Sequence, residues 1–252
     1  MRPGPILSII NKNFSSGKKG YWVLLDPDDF SPQDAKEIAI SAEKYGADAI
    51  IVGGSILHTD HLDEFIANIK DGVEIPVILF PGDATQISKN ADAILFMSLV
   101  SGRNPVNLIG EQVKGAPLIK KYNIEPIPMG YMLVESGAVT SIEFMSNTRP
   151  LPRKKPGIAA AHALAAQYMG MEMIYLEAGS GAEKSVPSKL IGAVKDYVDI
   201  PVIVGGGIRD AESAVKKLDA GADIIVTGNL LRLDNGVERM KAIAGAIRGY
   251  SN

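Results

Sequence analysis

Eight short apolar runs, each bounded by turn residues and most followed by a segment of helical period, constrain this chain more than any other feature. The runs are Trp22 to Leu25, Ala49 to Val52, Val77 to Phe80, Ala93 to Met97, Ile124 to Met129, Met173 to Leu176, Val202 to Val204 and Ile224 to Val226. Strands that alternate with helices pair in parallel through right-handed crossovers, and eight such units can close a ring. The rival is an open doubly wound sheet, which normally carries a glycine-rich dinucleotide turn after its first strand; here that position reads LLDPDD. The sequence therefore predicts an α/β chain with one domain over residues 1–252, a (β/α)8 TIM barrel.

The helical segments carry their own signals. Ser31 and Pro32 read as cap and first turn of a helix bearing Ala35, Ile38, Ala39 and Ala42. Leu62, Phe65, Ile66 and Ile69 follow the second strand. Asn104 and Pro105 start a helix that Gly115 and Pro117 are expected to interrupt. Pro156 opens one whose apolar face reads as Ile158, Ala161, Ala165 and Tyr168. Leu190, Ile191, Val194 and Tyr197 mark the next, Asp210 caps another, and Met240, Ile243 and Ile247 close the chain. The segment Asp83 to Lys89 has no clear helical pattern.

Three glycine-rich turns follow the last three strands: YLEAGSG (Tyr175 to Gly181), VGGGIRD (Val204 to Asp210) and VTGN (Val226 to Asn229). Glycine lets backbone N–H groups approach an anion, and a helix N-terminus adds unpaired donors. Glycine turns after strands seven and eight are where such barrels build a phosphate site. Glu177, inside this cradle, reads as a partner for substrate hydroxyls or a general base; the alternative is a salt bridge within the barrel.

At the end of the first strand, Asp26-Pro27-Asp28-Asp29 offers carboxylates that can hold Mg2+, with Asp28 and Asp29 serving equally well as turn caps. Gly53-Gly54-Ser55 ends the second strand, and the Ser55 hydroxyl can face a metal, a phosphate or a helix start. His58 and His61 lie three apart, as a metal pair or a solvated helix start; His162, in an alanine-rich helix, reads as structural or peripheral. The irregular stretch from Glu135 to Lys155 is either a solvated loop or a lid carrying Arg149, Arg153, Lys154 and Lys155 over the site.

Composition excludes several classes. A net charge of −3 and a pI near 5.7 argue against a nucleic-acid binder. The absence of cysteine removes thiolate catalysis, disulfides and Cys-ligated zinc, and fits a cytoplasmic location. No run reaches the ~18 apolar residues of a spanning helix.

The motifs LLDPDD, DAIIVGGS, PVILFPG, ADAILFMSLVSGRNP, EPIPMGYMLVE, YLEAGSG, PVIVGGGIRD and ADIIVTGN together resemble the geranylgeranylglyceryl phosphate synthase family, which includes heptaprenylglyceryl phosphate synthases. The resemblance implies Mg2+-dependent transfer of a long prenyl group from its diphosphate, geranylgeranyl or heptaprenyl, to the C3 hydroxyl of sn-glycerol 1-phosphate. It implies metal positions at Asp26 and Ser55. It places glycerol phosphate on Tyr175, Leu176, Glu177, Ala178, Gly179, Ser180, Gly181, Gly206, Gly207, Gly228 and Asn229, with Glu177 catalytic. Homo-oligomers are common in that family, and a lipid product makes transient membrane contact reasonable. Phe80, Phe96, Met97, Leu99, Met129, Tyr131 and Met132 are candidates for a prenyl groove or for core; the resemblance assigns no basic residue to the diphosphate, and Lys18, Lys19 and Arg103 are candidates by charge alone. Two alternatives stay open: a phosphosugar isomerase barrel, and a phosphate-ligand binding protein without turnover.

Overall fold

A computed structural model of the chain describes residues 4–250. In order its elements are α1 (Pro5–Ser15), β1 (Gly20–Leu25), α2 (Pro32–Tyr45), β2 (Ala49–Val52), α3 (Leu62–Lys70), β3 (Val77–Leu79), β4 (Ala93–Leu99), α4 (Glu111–Tyr122), β5 (Glu125–Leu133), α5 (Ser141–Ser146), α6 (Pro156–Tyr168), β6 (Met173–Glu177), α7 (Ser188–Lys195), β7 (Val202–Gly205), α8 (Ala211–Asp219), β8 (Ile224–Thr227) and α9 (Gly236–Arg248). Each strand pairs in parallel with its sequence neighbours, and β8 returns to β1 with Gly20 opposite Ile224, so the sheet closes as a barrel. The expected architecture is the observed one.

Strand period two divides the apolar residues into two sets. Trp22, Ile51, Leu95, Met129, Tyr175 and Val226 meet inside the barrel. Val23, Ile50, Met132, Leu176, Val204 and Ile225 face the helix layer. The parity carries past the strand ends: Asp26 continues the inward series of Trp22 and Leu24, and Glu177 that of Met173 and Tyr175.

The helix that precedes the barrel, α1, packs Ile6, Leu7 and Ile10 into the interior cluster. Its N-cap, Gly4, has no side chain to offer. Glu125 at the start of β5 supplies the acceptor instead, taking the amides of Ile6 at 2.9 Å and Leu7 at 2.8 Å, where the helix dipole favours a carboxylate.

Three helix expectations are corrected. First, α4 runs through both Gly115 and Pro117, and the irregularity lies earlier, in a π-helical turn at Val106–Gly110. The carbonyl that loses its donor to Pro117 belongs to Val113, which is 63% exposed. Second, α6 buries Ala159, Ala160, Ala163 and Ala166, while Ile158 and Tyr168 are exposed. Small side chains win this face because α6 comes close to β5: a Cβ on Gly130 would lie 2.8 Å from that of Ala166. Third, Val198 rather than Tyr197 is buried after α7. No helix covers the sheet after β3, where residues 83–89 form turns. No helix among the described residues is long and apolar enough to cross a membrane.

Candidate active site

One cavity of about 430 Å³ lies at the C-terminal end of the strands, a size typical of small-molecule sites. Its two sides differ in chemistry.

The turns after β6, β7 and β8 form one side. Gly179, Ser180, Gly181, Gly206, Gly207, Gly228 and Asn229 all line the cavity. The Ser180 hydroxyl donates to Asn229 Oδ1 at 3.0 Å, which ties the first turn to the third. Gly206 has φ +79°, and a Cβ there would strike Glu177 Oε1 and lie 2.8 Å from the Ala178 nitrogen. Only glycine serves at that point. Leu176 and Ala178 add no surface to the cavity: their side chains belong to the helix-layer core, and the Ala178 amide donates to the Gly205 carbonyl. Of the expected cradle positions those two therefore lie off the cavity, whereas Ala182, Thr227 and Arg209, which were not expected, line it.

Glu177 is 7% exposed. Its Oε1 accepts the Gly179 amide at 2.6 Å, and its Oε2 shares the space over Gly205 with the Tyr175 hydroxyl. Burial pushes its carboxyl up from 4.5 to about 7, against the lowering pull of the Gly179 amide. No lysine or arginine pairs with it among the described residues, which removes the salt-bridge alternative. The Tyr175 hydroxyl is buried without a hydrogen-bond partner of proper geometry, although the carboxylate is beside it. Phe80 stacks on Tyr175 with centroids 5.3 Å apart, and Tyr131 lies 5.4 Å from Tyr175. All three rings face the cavity.

The opposite side is apolar. Phe96, Met97, Leu99, Ile87, Gly115 and Ile119 line a groove between α4 and the helix-free segment after β3. Of the groove candidates, Met129 and Met132 are core. The groove's far wall on α4 was missed, because its lining residues, Gly115 and Ile119, look like ordinary helix packing.

Asp26 and Ser55 line the cavity between these two sides. Burial raises the Asp26 carboxyl from 3.8 to about 6, while the Asp28 amide, donating to Oδ1 at 3.1 Å, works to lower it. Gly54 lets the loop after β2 approach: a Cβ there would lie 2.7 Å from Asp26 Oδ2. Asp28 ties down the next loop by accepting the amides of His58 and Thr59, and Asp29 takes Arg232 Nε at 2.6 Å. The His58 amide is therefore a loop tie, while the His61 ring meets the Thr59 hydroxyl. His162 meets Arg103 on the surface.

The basic candidates lie elsewhere. Lys18 pairs with Asp48 and Lys19 with Asp223, both at the N-terminal end of the strands. Arg103 and Arg149 share a separate surface depression. The Glu135 to Lys155 stretch folds α5 and lays Ser141 and Ile142 on the cavity rim, yet Arg153 bonds to the carbonyls of Glu135 and Ser185 rather than facing the cavity.

Residues 14–247 match the PcrB family. The chain belongs to that family. It is 47% identical to the geranylgeranylglyceryl phosphate synthase of Pyrococcus furiosus, over 100% of both chains. It is 51% identical to that of Thermococcus kodakarensis, over 89% of this chain and 88% of the other. Among solved structures, the (S)-3-O-geranylgeranylglyceryl phosphate synthase of Thermoplasma acidophilum superposes with a TM-score of 0.92 at 38% identity, covering 99% of this chain and 100% of that one. That protein was crystallised in complex with its substrate sn-glycerol 1-phosphate.

Proposed function

We infer that this chain is a geranylgeranylglyceryl phosphate synthase: a prenyltransferase that joins the C3 oxygen of sn-glycerol 1-phosphate to the first carbon of geranylgeranyl diphosphate. The observation that carries this reading is one cavity with a glycine-built anion cradle and the buried Glu177 on one side, an apolar groove on the other, and the half-buried Asp26 between them. A phosphosugar isomerase has no use for the groove.

The reaction breaks the allylic C–O bond to diphosphate and forms an ether bond, and the hydroxyl proton must leave. The cradle holds the phosphate and so fixes where the C3 hydroxyl sits. Glu177 accepts the proton: its Oε1 is occupied by the Gly179 amide, its Oε2 has no donor of proper geometry, and the residue lines the cavity. A carboxyl near 7 is matched to base work at neutral pH. The rings of Phe80, Tyr131 and Tyr175 exclude water from the reacting carbon.

Mg2+ fits the Asp26 corner. No cluster of three carboxylate or imidazole side chains occurs among the described residues, and Mg2+ needs none, since one or two carboxylates with water and substrate phosphates suffice. Asp26 and Ser55 would hold it. When bound, Mg2+ offsets the charge of the diphosphate and makes it a better leaving group. Assembly with further copies has an apolar face available, the exposed stripe of Val106, Ile109 and Val113.

The test is turnover with labelled sn-glycerol 1-phosphate, Mg2+ and prenyl diphosphates of increasing length. Labelled lipid that disappears with EDTA is expected. Binding of glycerol phosphate with no lipid from any donor would leave only the binding-protein alternative.

A further inference from the structure

Three cations from three different elements converge on one short segment. Arg209, after β7, donates to the Ala182 carbonyl at 3.0 Å. Arg153, after β5, donates to the carbonyls of Lys184 at 3.4 Å and Ser185 at 2.8 Å. Lys217, in α8, donates to the Val186 carbonyl at 2.7 Å and is 7% exposed. These carbonyls belong to the limb at residues 182–186, which continues directly from the Gly179 to Gly181 limb on the cavity and meets the cavity itself at Ala182. None of the three cations has a carboxylate partner among the described residues, whereas eight other ion pairs do occur there.

A buried lysine without a counter-ion is expensive, and a carbonyl offsets only part of the cost. The like charge of Arg153 adds to that cost, since burial and then Arg153 push the Lys217 ammonium below its usual range. Ordinary loop anchoring needs neutral donors alone. An arrangement that keeps positive charge unneutralised beneath a loop gains most when an anion occupies the other side of that loop.

We propose that Arg153, Arg209 and Lys217 are positioning residues for the phosphate subsite: they hold the loop at residues 182–186 by its carbonyls and leave their charge uncancelled for the bound phosphate ester. The proposal rests on the cradle being a phosphate site. Arg209 also lines the cavity rim, so the test uses the two cations that do not.

Arg153→Met and Lys217→Met are compared with Arg153→Lys and with Lys216→Met. The last removes a neighbouring exposed lysine that pairs with Glu212, and with it equal formal charge but no loop contact. Binding of sn-glycerol 1-phosphate and of inorganic phosphate is read by calorimetry, and KM for each substrate with kcat by turnover. Loss of a charged hydrogen bond predicts phosphate affinity and glycerol phosphate KM weaker by roughly tenfold in each Met variant. The prenyl diphosphate KM and kcat should move less than about threefold, Arg153→Lys should recover part of the loss, and Lys216→Met should behave as wild type. Variants that bind phosphate as wild type does, or that merely unfold at lower temperature, overturn the clamp. Equal weakening in Lys216→Met overturns the loop contact as its basis. A wild-type protein that binds neither phosphate ligand overturns the phosphate site itself.

Discussion

The two sides of the cavity are made of different materials. The proposed anion side is backbone: glycine turns after β6, β7 and β8, held in register by Ser180 on Asn229 and by Glu177 on Gly179. The groove side is side-chain volume, set by Phe96, Met97, Ile87 and Ile119 around the gap left where no helix follows β3. A phosphate has one size and one geometry, which fixed N–H groups suit. A prenyl tail is a length, and side chains of adjustable bulk set a length.

Breaking the junction between the sides has the largest effect. Glu177→Gln is expected to lower kcat by roughly 10²-fold or more with glycerol phosphate affinity kept, read by turnover and calorimetry. Asp26→Ala should reduce turnover by about 10²-fold and abolish its response to added Mg2+, checked by titrating the metal into each protein. On the backbone side, Gly206→Ala forces an L-residue to φ +79° against Glu177. Glycerol phosphate KM should rise about tenfold, with prenyl diphosphate KM unchanged. On the groove side, Gly115→Leu fills space where a Cβ already lies 3.0 Å from Ile87 Cδ1. Competition between donors should then favour shorter prenyl diphosphates by several-fold to about tenfold, with no change in glycerol phosphate affinity.

The smallest effect is on stability. The Glu177 carboxyl ionises near 4.5 when unfolded and near 7 when folded, so the unfolded state loses its proton first and stability falls between those values as pH rises. At 1.36 kcal/mol per pH unit the fall approaches ~3 kcal/mol. Glu177→Gln removes it, so urea unfolding should find the variant more stable than wild type at about pH 8, an advantage that vanishes at about pH 4. The same ionisation predicts turnover rising with pH through about 7.

The same contrast decides what the sequence made legible. Backbone features leave a local trace, since a strand needs alternating or continuous apolar residues and a tight turn needs glycine. All eight strands could be read that way, and of the nine expected cradle positions beyond Tyr175 and Glu177 seven line the cavity, while Leu176 and Ala178, included with their motif regardless of parity, face the helix layer. Features made by packing leave no such trace. Hydrophobicity pointed to Ile158 and Tyr168 as the inner face of α6, but the closeness of Gly130 admits only alanines. The stretch carrying Arg153 read as either a solvated loop or a lid, and neither reading held its carbonyl partners, because charge is visible in a sequence and carbonyl partners are not.

The pairing of β1 with β8 sets a timetable for the molecule's making. Gly20 waits for Ile224 and Val23 for Thr227, so a chain leaving the ribosome carries an open sheet with two unpaired edges until nearly all of it has been synthesised. Such edges invite pairing with other chains, and contacts of so long a span form slowly. Shortening the chain before β8 would cost more than one strand: it would leave the ring permanently open.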